Sequence, residues 1–170
     1  METTEHIVES YVRFVRGWFT NSNIKCKNGK EIDILAIDPI TGKKYHIECG
    51  ITHTKAWALK KSPSKTDYSI KKDGSKKWHH RNSVDFFIEN KFSDKHVQGK
   101  LKQMGFEKCK KIIACFHVSD PSVIKYAKTK KIETIEIKDK IPELMKVLGD
   151  TYYSDDILRT LQLVSKCDVK

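Results

Sequence analysis

Three short strand-like runs, joined by tight turns, follow a single amphipathic helix near the start of the chain. The first run, NIKCK, is closed by the turn pair Asn28-Gly29, the second is EIDILAI, and the third, KYHIECGI, comes after the turn DPITGKK. Runs that alternate apolar and polar residues predict strands, and strands joined by a few residues pair with each other antiparallel. The sequence therefore predicts a three-stranded meander.

The segment before the meander, TTEHIVESYVRFVRGWF, has the period of a helix. Its apolar residues recur every three or four positions, while Glu5, Glu9, Arg13 and Arg16 fall on the other side. Gly17 follows as a stop signal. We expect this helix to cover one face of the sheet.

The rest of the chain alternates between helical and strand-like patterns. We predict a helix or helix pair in SVDFFIENKFSDKHVQGKLKQMGF, a buried strand in KKIIACFHVS, a helix from SDP to about Lys128, a strand in IETIEI, and helices in KIPELMKVL and SDDILRTLQLVSK. The order α-βββ-α-β-α-β-α-α predicts an α/β fold, with a mixed sheet flanked by helices and extra helices at the C-terminus. Without a repeat or a clear boundary, residues 1–170 are expected to form a single domain.

Positive charge is concentrated in one stretch of the chain. The net charge is +11, with a pI near 9.4, and the stretch at about 55–81 interleaves many lysines with aromatic residues. A basic, aromatic-containing insertion or arm fits nucleic acid, since lysines neutralise phosphates and aromatic rings stack on bases. A solvated loop is the alternative. The candidate nucleic-acid-binding residues are Trp57, Lys60, Lys61, Lys71, Lys72, Lys76, Lys77, Trp78 and Arg81.

The cysteines and the N-terminus favour a cytoplasmic protein. The chain has five cysteines, an odd number, and no CxxC pair, which is typical of reduced thiols rather than a disulfide framework. The N-terminal METTEHIVES lacks the pattern of a secretory signal, and no apolar run is long enough to span a membrane.

Two acids lie within the strand-like runs. If the second and third strands pair as a hairpin, Asp33 and Glu48 converge at one end of the sheet. Either acid alone has a structural alternative: Asp33 closes a turn or pairs with a lysine, and Glu48 pairs with Lys44 or His46. Together they suit Mg²⁺ or Mn²⁺. Beside so basic a surface, the chemistry that they favour is metal-assisted phosphodiester hydrolysis.

These residues resemble a known motif. The run NGKEIDILAID…GKKYHIEC is similar to the central motif of the PD-(D/E)xK nuclease superfamily, and TEHIVESYVRFVRGWF resembles the first helix of its small resolvase-like members. The resemblance implies a restriction-endonuclease-like core, a Mg²⁺- or Mn²⁺-dependent DNA endonuclease, and a homodimer as a candidate assembly. It implies that Asp33 and Glu48 are metal ligands. It also implies that Glu5, or alternatively Glu9, positions metal or water.

The chain departs from the motif at Gly50, which stands where the family places a lysine that supports the nucleophile or the transition-state charge. Lys55, on the same segment, is the first candidate to supply that cation, and His53 is another. The alternative is a catalytically degenerate protein that binds nucleic acid or a protein partner without cutting. A third interpretation is a basic RNA-binding module whose acids are structural.

Overall fold

A five-stranded mixed sheet forms the centre of the molecule. It is seen in a computed structural model that describes residues 2–50 and 58–167. The strands lie in the order β1-β2-β3-β6-β7. The first three are an antiparallel meander, and β6 and β7 continue the sheet in parallel. The strands are β1 (Phe19–Lys25), β2 (Glu31–Ile37), β3 (Lys44–Gly50), β6 (Lys110–Cys115) and β7 (Ile132–Glu136).

Helices cover both faces of this sheet, and the predicted α/β fold is confirmed. One face packs against α1, α5 and α6, and the other against α2, α3 and α4. None of these helices, within the part of the chain that is described, has the length and apolar composition needed to cross a membrane. They are α1 (Thr3–Ser10), α2 (Val84–Phe87), α3 (Lys95–Gln103), α4 (Pro121–Thr129), α5 (Ile141–Leu148) and α6 (Asp156–Lys166).

Two of the helices continue into a wider, π-helical turn. The turn after α1 spans Tyr11–Val15, and the turn after α2 spans Ile88–Phe92. The first ends near Gly17, whose φ of +69° favours glycine, as the sequence predicted. π-Helical turns are rare and often occur at functional sites. The turn after α2 carries a lysine into the candidate site described below.

The first strand is longer than its sequence pattern predicts. NIKCK predicts a strand from Asn23, whereas β1 already starts at Phe19 and takes in the polar residues Thr20 and Ser22. Their hydroxyls donate to the carboxylate of Glu9 on α1, at 2.7 and 3.1 Å. Because these side chains find a buried acceptor, the polar run is stable in a strand despite its weak propensity.

The described part of the basic stretch, 58–81, contains a small hairpin. Strands β4 (Tyr68–Ile70) and β5 (Lys76–Trp78) pair antiparallel around a turn at Asp73-Gly74. The buried Asp67 anchors the hairpin: its carboxylate accepts the Ser64 N–H at 2.7 Å, and its carbonyl accepts two N–H groups from the chain after β5. The Trp78 ring contacts Phe86 of α2, which places the hairpin beside that helix.

Candidate active site

The pairing of β2 and β3 places Asp33 beside Glu48. Ile34 pairs with Ile47 and Leu35 with His46, and the same register carried one residue further sets Asp33 opposite Glu48. The backbone pairing of β2 and β3 ends at Ile34 and Ile47. Beyond it, the Asp33 carboxylate accepts a hydrogen bond from a β3 backbone N–H, where a β2 carbonyl would otherwise be the acceptor. Its Oδ2 accepts the Cys49 N–H at 2.8 Å. The predicted convergence of the two acids at one end of the hairpin is what the structure contains.

A lysine from another element lies against both acids. Lys91 Nζ is 3.1 Å from Asp33 Oδ1 and 2.6 Å from Glu48 Oε2. The Lys91 side chain is 26% exposed, Asp33 7% and Glu48 0%, so the ammonium covers Glu48 on the side of the solvent. Lys91 reaches this position from the π-helical turn that follows α2.

Behind Glu48 lies a buried histidine. His46 Nε2 is 2.6 Å from Glu48 Oε1, both side chains are fully buried, and the imidazole packs edge-on against Phe92. Burial lowers the pKa of His46 to about 3, so the ring is neutral at physiological pH. His46 Nε2 and Glu48 Oε1 therefore share one proton in their hydrogen bond. His46 Nδ1 then has no hydrogen-bond partner among the described residues.

Burial also controls the protonation of the two acids and the lysine. Burial, with the charge of Glu48, raises the pKa of Asp33 to about 7, against the opposing effects of Lys91 and the Cys49 N–H. Burial likewise raises the pKa of Glu48. Burial lowers the pKa of Lys91, but the charges of Glu48 and Asp33 outweigh it and raise that pKa above its ordinary value. Lys91 is therefore a permanent cation beside carboxylates that hold protons unusually well.

The two acids of α1 have different surroundings. Glu5 lines the cleft in front of Asp33, and burial raises the pKa of its carboxyl. Glu5 also accepts the Glu2 N–H at 3.1 Å, which closes the capping box at the start of α1. Glu9, by contrast, is buried and bonded to the hydroxyls of β1. Of the two candidates, Glu5 is the acid that faces the cleft.

The cleft has a volume of about 680 Å³ and is walled by the basic hairpin. Acidic and basic groups share it, with Asp33 and Lys91 at its floor. The candidate nucleic-acid-binding residues that line it are Lys71, Lys76, Lys77, Trp78 and Arg81. Of the remaining candidates in the described residues, Lys60, Lys61 and Lys72 do not line it. Lys55 and Trp57 lie outside the described residues, as does His53.

Two of the residues in the wall are held by the protein itself. Lys76 Nζ is 2.9 Å from Glu89 Oε1 and lies over the rings of Tyr68 and Trp78. The Trp78 ring packs between Phe86 and Tyr68, with centroid distances of 5.1 and 5.4 Å. Trp78 therefore fixes the hairpin, and Lys71, Lys77 and Arg81 are the exposed cations of the wall.

The oxygen atoms around Lys91 suit a hard cation. Glu48 Oε2 is buried and lacks an aligned hydrogen-bond donor, and Asp33 Oδ1 is bonded by Lys91. Both atoms face the point where the ammonium now lies, and carboxylate oxygens are the donors that Mg²⁺ and Mn²⁺ prefer. The described residues contain no group of three or more His, Cys, Asp or Glu side chains that could hold a metal, so the protein would supply two carboxylates and water would complete the shell.

Comparison with known proteins identifies the fold and leaves the activity open. No protein-family model matches the chain, and no curated protein sequence matches it. A crystal structure of a protein of unknown function, AF1548, is similar, with a TM-score of 0.52 and 16% identity over 83% of this chain. The chain spans 65% of the length of that structure. At this identity the similarity is one of fold, an α/β arrangement around a mixed sheet.

Lys91 was not among the residues predicted from the sequence, although a signal for it exists. In DFFIENKF, Lys91 lies four residues after the buried Phe87 and directly before the buried Phe92. Residues four apart share one side of a helix, so Lys91 lies on the buried, apolar side. A lysine on a buried face requires an anionic partner. The strand-borne acids Asp33 and Glu48 provide it.

Proposed function

We propose that the chain is a metal-dependent DNA endonuclease of the PD-(D/E)xK type, in which Lys91 takes the role of the missing motif lysine. The observation that carries this proposal is the contact of Lys91 Nζ with both Asp33 Oδ1 and Glu48 Oε2, at 3.1 and 2.6 Å. Two carboxylates that can hold a metal, and an ammonium that can stabilise the charge of the transition state, meet at the floor of a basic cleft, and this combination suits phosphodiester hydrolysis.

The position of Gly50 supports this assignment. Gly50 lies two residues after Glu48 on β3, so both are on the same face of the sheet, which is the face covered by the Lys91 turn. A lysine that came from position 50 would project toward that same space. Lys91 provides the ammonium from a different element, and we therefore assign the role to Lys91 rather than to Lys55.

The proposed mechanism divides the work among the side chains of the site. Asp33 and Glu48 would hold the metal, which when bound polarises a phosphoryl oxygen and lowers the pKa of its water. Lys91 leaves Glu48 and turns toward the cleft, where its charge stabilises the negative charge that develops on the scissile phosphate. Glu5, at the wall of the cleft, orients the attacking water. His46 fixes Glu48 through its contact with Oε1.

The wall of the cleft supports a nucleic-acid substrate. Lys71, Lys77 and Arg81 are exposed along the hairpin, on one side of the carboxylates. Their charges neutralise backbone phosphates, while the partly buried Trp78 supports the wall instead of presenting a free ring for stacking. This arrangement favours recognition of the backbone over recognition of base sequence.

One observation favours the alternative, a protein that binds nucleic acid without cutting it. Lys91 already neutralises Glu48 and covers it, so a metal reaches both carboxylates only after Lys91 has moved. If the ammonium stays in place, Lys91 and Glu48 form a buried structural salt bridge, and the cleft binds nucleic acid without cutting it.

A cleavage assay distinguishes the two functions. Supercoiled, linear and branched DNA are incubated with the protein and Mg²⁺ or Mn²⁺, alongside Asp33→Asn, Lys91→Met and Gly50→Lys. We expect the wild type to cut, Asp33→Asn to be inactive and Lys91→Met to cut about a hundredfold or more slowly, with both variants still binding DNA. No cleavage by the wild type on any substrate, together with cleavage by Gly50→Lys, would identify a degenerate nuclease and refute the role of Lys91.

A further inference from the structure

A second basic surface lies at the opposite end of the sheet from the cleft. Its lysines come from three separate stretches of the sequence, GKK, KCKK and KTKK, which no local pattern connects. We call it the lysine edge: Lys43, Lys44, Lys108, Lys110, Lys128 and Lys131. We infer that the lysine edge binds the phosphate backbone of nucleic acid, at a site separate from the cleft.

The parallel strands of the sheet bring these lysines together. Tyr45 on β3 pairs with Lys110 on β6, and Lys111 pairs with Ile132 on β7, so all three strands start at the same level. The lysines sit at or just before those starts. Glu48 pairs with Ile113, three residues further along, which puts the candidate active site about 10 Å away along the strands.

The lysines of the edge form no ion pairs with the carboxylates of residues 2–50 and 58–167. Among the described residues, none of its six lysines has a carboxylate within 4.0 Å. Lys44 donates to the Gly105 carbonyl at 2.7 Å. Three acids border the surface: Glu107, Glu133, which is paired with Arg16, and Asp38, whose carboxylate accepts the Ile40 and Thr41 N–H groups and lies near Lys43. Six lysines against these three acids leave the surface with a net positive potential, which attracts a polyanion.

The shape of the lysine edge favours a phosphate backbone. Two adjoining clefts of about 390 and 670 Å³ run along it, and Lys110 borders both of them. A chain of phosphates can enter such a groove, whereas the flat surface of an anionic membrane contacts its rim only. Of the exposed apolar residues at this end, Phe19 begins β1, which is separated from β3 by β2, and Ile40 is a single side chain in the turn between β2 and β3, next to the smaller cleft. We therefore choose nucleic acid over a lipid surface.

The test is equilibrium binding of a fluorescent DNA duplex without divalent metal, so that cleavage plays no part. The edge variant carries Lys108→Glu, Lys110→Glu and Lys131→Glu. A control variant with the same charge change carries Arg13→Glu, Lys146→Glu and Arg159→Glu, all exposed on the helices α1, α5 and α6 or the adjoining turn. A cleft variant carries Lys71→Glu, Lys77→Glu and Arg81→Glu. All are measured over a range of salt and with anionic vesicles of phosphatidylserine.

We expect the edge variant to bind the duplex at least about tenfold more weakly than the control variant, with a salt slope flatter by about 0.9 for each phosphate that the variant no longer neutralises. The cleft variant keeps the edge contribution, and a variant that carries both the edge and the cleft substitutions lacks both contributions. The proposal is overturned if the edge and control variants bind the duplex alike. It is also overturned if the edge variant loses only vesicle binding, which would identify a membrane surface. Either result leaves the proposed nuclease activity of the cleft untouched.

Discussion

Lys91 Nζ lies 2.6 Å from Oε2 of the fully buried Glu48 and closes that carboxylate off from the cleft. A buried ion pair of this kind is weak evidence for stability, because desolvation of both charges offsets their attraction. Its position at the floor of a basic cleft relates this ion pair to function rather than to stability. The ammonium now lies between the two carboxylate oxygens at which we place a metal, so metal binding and the movement of Lys91 are coupled.

Replacement of Lys91 should separate metal binding from catalysis. Lys91→Met keeps most of the length of the side chain but removes the charge, so we expect cleavage to fall by about a hundredfold or more. Mn²⁺ affinity should stay the same or rise, since a competing cation has been removed. Calorimetric titration of Mn²⁺ and single-turnover cleavage measure the two effects.

Two matched variants control that experiment. Lys95→Met removes an exposed charge at the start of α3 and should leave both quantities unchanged. Lys55→Met tests the first candidate for the missing lysine. Loss of activity in Lys55→Met with full activity in Lys91→Met would reverse the assignment.

The fold was predictable from the sequence wherever the hydrophobic period was clear. KYHIECGI alternates apolar and polar residues, EIDILAI alternates as far as Ile34 and then continues as an aliphatic run, and the observed strands β2 and β3 coincide with the two runs over the described residues. Asp33 and Glu48 were predictable for the same reason, because alternation and the short turn fix which side chains meet across the hairpin. The β4–β5 hairpin was missed although Asp73-Gly74 is a hairpin signal, because the lysines on either side do not alternate with apolar residues.

Lys91 and the lysine edge depend on information that a local pattern lacks. Lys91 meets Asp33 across 58 residues of sequence, and only the packing of α2 on the sheet brings them together. The lysine edge arises from the parallel pairing of β3, β6 and β7, whose starting points align in space but not in sequence. Contacts between remote segments are set by the tertiary fold, whereas a periodicity reports only local structure.

The two carboxylates should be required for cleavage and dispensable for DNA binding. Asp33→Asn and Glu48→Gln keep the shape of each side chain but lose the charge that holds a hard cation. We expect metal-dependent cleavage to disappear in both, with duplex affinity within about twofold of wild type, since phosphate contacts dominate the affinity. Glu143→Gln is the control, because Glu143 lies on α5, pairs with Lys140 and does not line the cleft. Near wild-type cleavage by either site variant would exclude that residue as a ligand.

Glu5 and Glu9 should give opposite results when each is changed to glutamine. Glu5→Gln keeps a capping side chain for α1, so stability should hardly change, while cleavage falls on the order of tenfold because the acid that faces the cleft is absent. Glu9→Gln disturbs a buried acceptor of two hydroxyls and should cost about 1–3 kcal/mol of the free energy of unfolding. Its cleavage rate at low temperature should be that of wild type. The opposite pattern would make Glu9 the active acid.

The raised pKa of Asp33 predicts how stability depends on pH. Folding raises the pKa of Asp33 from 3.8 to about 7, so the folded state holds this proton more tightly than the unfolded state. The contribution of the protonated Asp33 carboxyl to the free energy of unfolding is therefore fully present below pH 3.8 and is lost as pH rises to about 7. The Asp33→Asn variant, which cannot ionise, should gain stability relative to wild type by up to about 4 kcal/mol over that range.

Denaturant unfolding of wild type and Asp33→Asn at about pH 4 and about pH 8 measures this difference. His46, with its pKa lowered by burial to about 3, destabilises the folded state of both proteins in acid, and its contribution differs between them only through the opposing charge of Asp33. A difference in the free energy of unfolding that is independent of pH would mean that Lys91 keeps Asp33 ionised throughout.

The hairpin cations should determine the salt dependence of DNA binding to the cleft. Lys71, Lys77 and Arg81 line the cleft, whereas Lys60, Lys61 and Lys72 belong to the same stretch but lie outside it. Replacing each set with glutamine removes the same charge from the same stretch. Each phosphate that is no longer neutralised should flatten the slope of log K against log salt by about 0.9 for duplex DNA, so the cleft set should flatten it by about 2 to 3 and the outer set by much less. Equal slopes in the two triple variants would show that the net charge of the stretch, rather than the cleft, attracts the DNA. Such binding would not hold a DNA backbone next to the carboxylates.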